Sequence, residues 1–116
     1  MKIVSWNCNG AFRKKYSILF EKIPADIYVI QECENPEKIS NNKDKEFLTS
    51  FNYRWIGENK NKGLAVFSKI SIDFEEQNSY YLRYFIPFKV NTKRCYAIWA
   101  MNPYIEEMVV YFSIYK

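Results

Sequence analysis

The sequence predicts an α/β fold, a mixed sheet with flanking helices, on three observations. The chain opens as strand, helix, strand, with apolar runs from Lys2 to Trp6 and Asp26 to Ile30 on either side of an amphipathic stretch. From Tyr53 onward the texture changes to β-rich runs separated by turn residues. No internal repeat, Gly/Ser linker or low-complexity segment divides the 116 residues, so 1–116 is read as one domain or part of one.

Each element has a local reason. Between Arg13 and Ile23 the residues Tyr16, Leu19, Phe20 and Ile23 fall at i, i+3, i+4 and i+7, a helical stripe that Pro24 ends. Asp26 to Ile30 is the short, nearly all-apolar run expected of a strand buried on both faces. Asn35 to Asn42 reads as a polar loop, and Lys43 to Phe51 as a short helix closing on Phe47, Leu48 and Phe51. The expected strands are Tyr53 to Ile56, Leu64 to Ser68, Ile70 to Phe74, Leu82 to Val90 and Arg94 to Met101. Turns at Asn59 to Gly63 and Asn91 to Lys93 join pairs of them. In the last segment Tyr104, Met108, Tyr111 or Phe112, and Tyr115 share one helical face, although Val109 to Phe112 would also suit a strand. That pattern meets no Gly or polar stop before Lys116, so the chain is expected to be truncated.

Composition bounds the function classes. A domain of this size buries roughly two-thirds of its unfolded surface. Aromatic residues make up 19% of the chain, with ten Tyr and nine Phe, and many are expected where a partner layer would cover them. The formal net charge of +4 is compatible with a polyanionic partner without amounting to a basic tail. The three cysteines, Cys8, Cys33 and Cys95, lack zinc-site spacing, have no His to join them and are odd in number, so buried free thiols are expected. No stretch approaches a membrane span and no signal peptide is visible, which makes the cytoplasm the default compartment.

Chemistry is expected at the strand ends. Ser5-Trp6-Asn7-Cys8-Asn9-Gly10 and Ile30-Gln31-Glu32 deliver an amide and a carboxylate to the carboxyl edges of two strands, where open α/β sheets place their sites. The Trp-Asn-x-Asn-Gly opening, the Ala-Asp-Ile-x-x-Ile-Gln-Glu strand and Gly63-Leu64-Ala65-Val66-Phe67-Ser68-Lys69 together resemble the endonuclease/exonuclease/phosphatase family, which includes exonuclease III and the abasic-site endonucleases of DNA repair. The resemblance implies the N-terminal half of a four-layered α/β sandwich and descent from a Mg²⁺- or Mn²⁺-dependent phosphodiester hydrolase, most simply a nuclease acting on DNA. It also implies Glu32 as the metal ligand, Asn7 as a catalytic amide holding a phosphate oxygen or orienting the metal side, and Asn9 supporting them. Arg13 and Lys62 are candidate phosphate contacts, with Lys14, Lys15 and Lys60 beside them.

The family's second half carries Gly-Asp-x-Asn and Ser-Asp-His motifs, and this chain has neither: it contains no His, and Gly10, Gly57 and Gly63 are each followed by a residue other than Asp. No acid–base His or Asp is assigned, the metal is expected to bind weakly if at all, and the isolated chain is expected to be inactive. Nucleases of the family often carry Lys two residues after the metal-side Glu, whereas Glu34 here would repel a phosphate. Tyr104 is offset from the family's Tyr and takes no role. The bland readings stay beside these: Asn7 and Asn9 as turn formers, Glu32 as a solvated strand-end carboxylate, and the lysines as a solvated face. A non-catalytic module holding nucleic acid or a protein, and one half of a split enzyme, are the other functional readings. With the second half missing, the inner sheet face carrying Trp6, Ile30, Val66 and Trp99 is expected to be open and to drive self-association.

Overall fold

The computed structural model describes residues 1–76 and 84–99. Strands β1 (Ile3–Asn7), β2 (Ile27–Cys33), β3 (Asn52–Asn59) and β4 (Lys62–Ser68) form a four-stranded mixed sheet in the order β1-β2-β4-β3. A second sheet of three strands runs β5 (Asp73–Phe74), β6 (Tyr84–Val90) and β7 (Lys93–Trp99). Helices α1 (Tyr16–Lys22) and α2 (Asn42–Thr49) carry the two crossovers. The architecture is therefore mixed α/β.

The order of strands follows from those crossovers. β1 and β2 are parallel, β4 is antiparallel to both β2 and β3, and β2 and β3 therefore run the same way with β4 filling the place between them. Both crossovers step in one direction across the sheet, and crossovers of one hand then leave α1 and α2 on the same face. The opposite face is open to the second sheet.

Alternation along the strands sorts the side chains between two cores. Tyr28, Ile30, Ala65 and Phe67 face the helices and meet Phe12, Tyr16, Leu19 and Leu48, while Ile27, Val29, Leu64 and Val66 face the second sheet and meet Ile86, Phe88, Cys95, Ala97 and Trp99. β2 and β4 are buried on both faces, which is why they read as unbroken apolar runs.

The expected open sheet face is not found. Val66 is fully buried and Trp99 is 5% exposed, because the second sheet lies over the inner face. Trp6 and Ile30 are on the other face, since they are register partners and Ile30 belongs to the helix-side core. Among the described residues, Trp6, Ile18 and Ile23 are exposed large apolar side chains that border a groove of about 520 Å³ between β1 and α1, and Phe47 of α2 is exposed on the helical layer.

Local chemistry sets the element ends. Phe12–Lys14 forms a 3-10 turn ahead of α1, which ends at Ile23 because a residue before proline is pushed away from helical ψ. The Tyr28 hydroxyl then donates to the Ile23 carbonyl at 2.7 Å and accepts from the Ala25 N–H at 2.8 Å, fastening that end of α1 to β2. α2 starts one residue earlier than expected, because Asn41 caps it by accepting from the Asp44 N–H at 3.1 Å. The segment read as a polar loop holds a 3-10 turn, Pro36–Lys38, for the same reason: Asn35 accepts from the Glu37 N–H. Ile70 to Phe74 is strand only at Asp73–Phe74, since Ser68 bonds both backbone groups of Ile70 in a turn. Residues 82, 83 and 100–116, including the start of the Leu82 strand, the end of the Arg94 strand and the expected C-terminal helix, lie outside the described residues.

Phe67 sits at the centre of the helix-side core, its ring 5.7 Å from Phe12, 5.9 Å from Tyr53 and 6.0 Å from Phe51. Phe67→Ala is expected to cost about 3–5 kcal/mol in urea unfolding, whereas Ile18→Ala, at an exposed groove position, should stay within about 0.5 kcal/mol.

Two tyrosines tie the helical layer down. Tyr16 donates to Asp44 at 2.7 Å and Tyr53 donates to Glu37. Burial first, and then the neighbouring carboxylate, push each phenol up to about 12. In the unfolded chain both titrate near 10. The folded state therefore binds the extra protons between the two values, so stability from these groups is full below pH ~10 and is lost as pH rises toward ~12. Absorbance titration of tyrosinate should show a late-ionising fraction that shrinks in Tyr16→Phe and Tyr53→Phe.

Candidate functional site

Three chain segments converge at the carboxyl edge of the parallel pair. β1 ends at Asn7, opposite Gln31 of β2, and the β3–β4 hairpin turns at the same edge, because Cys33 is paired with Gly63 at the start of β4. Asn7 and Glu32 are thus brought to one rim, as the strand endings suggest, and Lys62 of the hairpin stands at the same edge.

Glu32 is placed there by a β-bulge. The β2–β4 register shifts between Gln31 and Cys33, and Glu32 has φ 54, the left-handed region that costs a non-glycine residue about 1–2 kcal/mol. The reason lies in the alternation. Ile30 faces the helices and Gln31 the second sheet, so a regular strand would send residue 32 back into the helix-side core. The extra residue lets Cys33, fully buried in that core, take the position instead, and Glu32 is left only partly buried. Bulges re-aim side chains in this way.

The β1 end is equally constrained. Asn9, Gly10 and Ala11 have φ 57, 83 and 50, three successive left-handed residues that turn the chain sharply after the strand. The Asn7 side-chain oxygen accepts from the Asn9 N–H at 3.0 Å, so Asn7 shapes the turn as well as ending the strand. Lys15 Nζ donates to the carbonyls of Cys8 and Gly10 at 2.6 and 2.8 Å and ties the loop to the base of α1. Cys8 donates its backbone N–H to Gln31 at 3.1 Å and its thiol to the Glu32 carbonyl at 3.3 Å.

Glu34 has a different place from the one its sequence position suggests. Its carboxylate accepts from the Arg13 backbone N–H and from Arg13 Nη1, both at 2.8 Å, and the residue is 8% exposed. A buried carboxylate held by a guanidinium and an amide presents little negative charge to a phosphate at the rim. The same pairing directs the Arg13 guanidinium to Glu34. Lys62 is exposed at the hairpin, beside Lys60, whose carbonyl accepts from the Asn35 N–H at 2.7 Å.

Burial pushes the Cys8 thiol up and the Cys33 thiol well up, so neither is a thiolate near neutral pH. The donors left at the rim are hard: the Glu32 carboxylate and the amide oxygens of Asn7 and Asn9. Such a set fits Mg²⁺ or Mn²⁺, which accept one carboxylate and keep several waters. Among the described residues no three His, Cys, Asp or Glu side chains cluster for shared metal binding. Three contributors to the rim are not evident from strand patterning. Gln31, 1% exposed, donates from Nε2 to Ser5 Oγ at 3.0 Å, and the Trp55 indole donates to the Cys33 carbonyl at 2.8 Å across Gly63. A half-buried Trp needs a partner for its N–H, and for Trp55 the Cys33 carbonyl is that partner. No protein family, curated protein or solved structure matches the chain.

If the bulge is strained to serve the site, relieving it should trade function for stability. Glu32→Gly is expected to raise the unfolding free energy by about 0.5–1 kcal/mol, the left-handed penalty less the entropy a glycine adds to the unfolded chain. Urea denaturation checks this; a destabilised variant would mean the Glu32 side chain itself holds the bulge.

Proposed function

We propose that the chain is the N-terminal half of an endonuclease/exonuclease/phosphatase-type domain, derived from a Mg²⁺- or Mn²⁺-dependent nuclease that acts on DNA. The observation that carries this reading is the rim itself: Asn7 ends β1, Glu32 lies one residue before the end of the adjacent parallel β2, and Glu32 is lifted out of the core by a left-handed bulge. Backbone strain of this kind gathers at functional sites because elsewhere nothing repays it. The motifs in the sequence and the geometry at the rim point the same way.

In this reading Glu32 anchors the metal and Asn7 sits beside the phosphate, its amide able to donate and accept. A bound divalent ion would polarise a phosphoryl oxygen and stabilise the leaving oxygen. Arg13 acts on Glu34 and not on the substrate, while the exposed Lys62 and Lys60 on the hairpin remain the phosphate contacts. The helices and two sheets account for three layers of a four-layered sandwich. The fourth would lie on the outer face of the second sheet, where Phe85, Tyr96 and Ile98 are half-buried. No helix among the described residues is long and apolar enough to cross a membrane, and a cytoplasmic nuclease half is the compartment proposed with this function.

Activity would require the aspartate and histidine motifs that the sequence lacks. Loss of members of a catalytic set commonly costs about 10⁴-fold or more in rate. The isolated chain with Mg²⁺ or Mn²⁺ is therefore expected to show no measurable hydrolysis of abasic duplex, single-stranded DNA or a nitrophenyl phosphodiester. Mg²⁺ should bind weakly by calorimetric titration, and Glu32→Gln should abolish the binding. Unchanged affinity would remove Glu32 from the site, and robust turnover lost in Glu32→Ala would overturn the half-site reading.

A further inference from the structure

Glu32 is held by its neighbours' backbone contacts more than by its own. Three successive carbonyls around the bulge each accept a bond: Gln31 from the Cys8 N–H at 3.1 Å, Glu32 from the Cys8 thiol at 3.3 Å, and Cys33 from the Trp55 indole at 2.8 Å. The first two come from the β1 side. The third comes from β3, and to reach it the indole must cross β4.

It crosses where β4 has no side chain. A Cβ on Gly63 would lie 2.5 Å from Trp55 Cε2 and 2.4 Å from the Ile56 carbonyl, and a Cβ on Gly57 would lie 2.6 Å from Trp55 Cζ2 and 2.8 Å from the Lys62 carbonyl. Two glycines on neighbouring strands thus open a slot that an indole fills. Core packing alone would not require this. A phenyl ring could enter the slot, whereas the bond to the Cys33 carbonyl needs a donor on the ring, which the indole N–H supplies.

We propose that Trp55 is a positioning residue for Glu32: its indole N–H, passed over Gly63 to the Cys33 carbonyl, locks the bulge in the conformation that presents the Glu32 carboxylate at the rim. The inference rests on the reading of Glu32 as the metal-side ligand. Without the bond, the Cys33 carbonyl loses its indole donor and the bulge is fixed less tightly, so the Glu32 carboxylate is held less firmly at the rim. Groups that orient a metal ligand from behind typically change affinity by about 10–100-fold when removed.

The test is Mn²⁺ binding to the full chain, followed by the paramagnetic resonance signal of unbound Mn²⁺, in the parent, Trp55→Phe, Glu32→Gln and the double variant. Urea midpoints are measured alongside. Trp55→Phe keeps a ring in the slot and removes the donor. It is expected to lower Mn²⁺ affinity about tenfold in a chain that still shows a cooperative urea transition, and to add nothing in the Glu32→Gln background. In ¹⁵N spectra the Trp55 indole resonance, identified by its absence in Trp55→Phe, should broaden on Mn²⁺ addition in the parent and stay sharp in Glu32→Gln.

Loss of binding in Glu32→Gln with parental affinity in Trp55→Phe would overturn the role of Trp55 and leave the site reading intact. Parental affinity in Glu32→Gln would overturn the site reading, and the inference with it. Should Trp55→Phe unfold, benzothienylalanine at position 55 keeps the indole shape without the N–H. Parental Mn²⁺ affinity in that protein would overturn the proposal, and a tenfold loss would support it.

Discussion

β2 lies between two apolar cores and carries a carboxylate, Glu32, one residue before its end, and the rest of the rim is arranged around that conflict. An ionised group left in an apolar core costs several kcal/mol unless it is paired. Strict alternation would put Glu32 in the helix-side core, in the place that Cys33 fills. A left-handed bulge, at a cost of about 1–2 kcal/mol, is the cheaper solution. Its consequences extend outward: Cys33 enters the core, Glu34 turns to Arg13, and the Cys33 carbonyl is reached by an indole from two strands away.

The two turns that follow β1 and β2 are coupled by this arrangement. Cys8 contacts the carbonyls on both sides of the bulge's first bond, and Lys15 ties the Cys8 and Gly10 carbonyls to the base of α1. The left-handed residues Asn9, Gly10, Ala11 and Glu32 therefore belong to one constrained rim built on rigid strands. Strained conformations persist when the surroundings over-determine them. Here the surroundings are backbone amides, a buried thiol, an ammonium group and an indole, each with a named partner.

The sheet topology decides which side chains can meet. Two crossovers of one hand place α1 and α2 together, so aromatic side chains of the helical layer and of the sheet face beneath it form one cluster around Phe12, Phe20 and Phe67. Among the described residues, the other face of the sheet is covered by the second sheet. Val66 and Trp99 are buried by that sheet, and among the described residues a strip at the β1 edge, around Trp6, Ile18 and Ile23, stays exposed.

Much of this was set by residue pattern alone. The helical stripe from Tyr16 to Ile23, the apolar runs of β2 and β4 and the arrival of Asn7 and Glu32 at strand ends all follow from periodicity, which acts over a few residues. The buried free thiols follow from composition. What tertiary structure decided is what depends on contacts distant in sequence. The fate of Glu34 required Arg13 to come within 2.8 Å from 21 residues away, and the bond to Cys33 required Trp55 to cross Gly63 from 22 residues away. The covering of Val66 and Trp99 required a second sheet to fold back over the first. A one-residue bulge also inverts alternation, so a local pattern could place Glu32 at the end of its strand but not on a face of it.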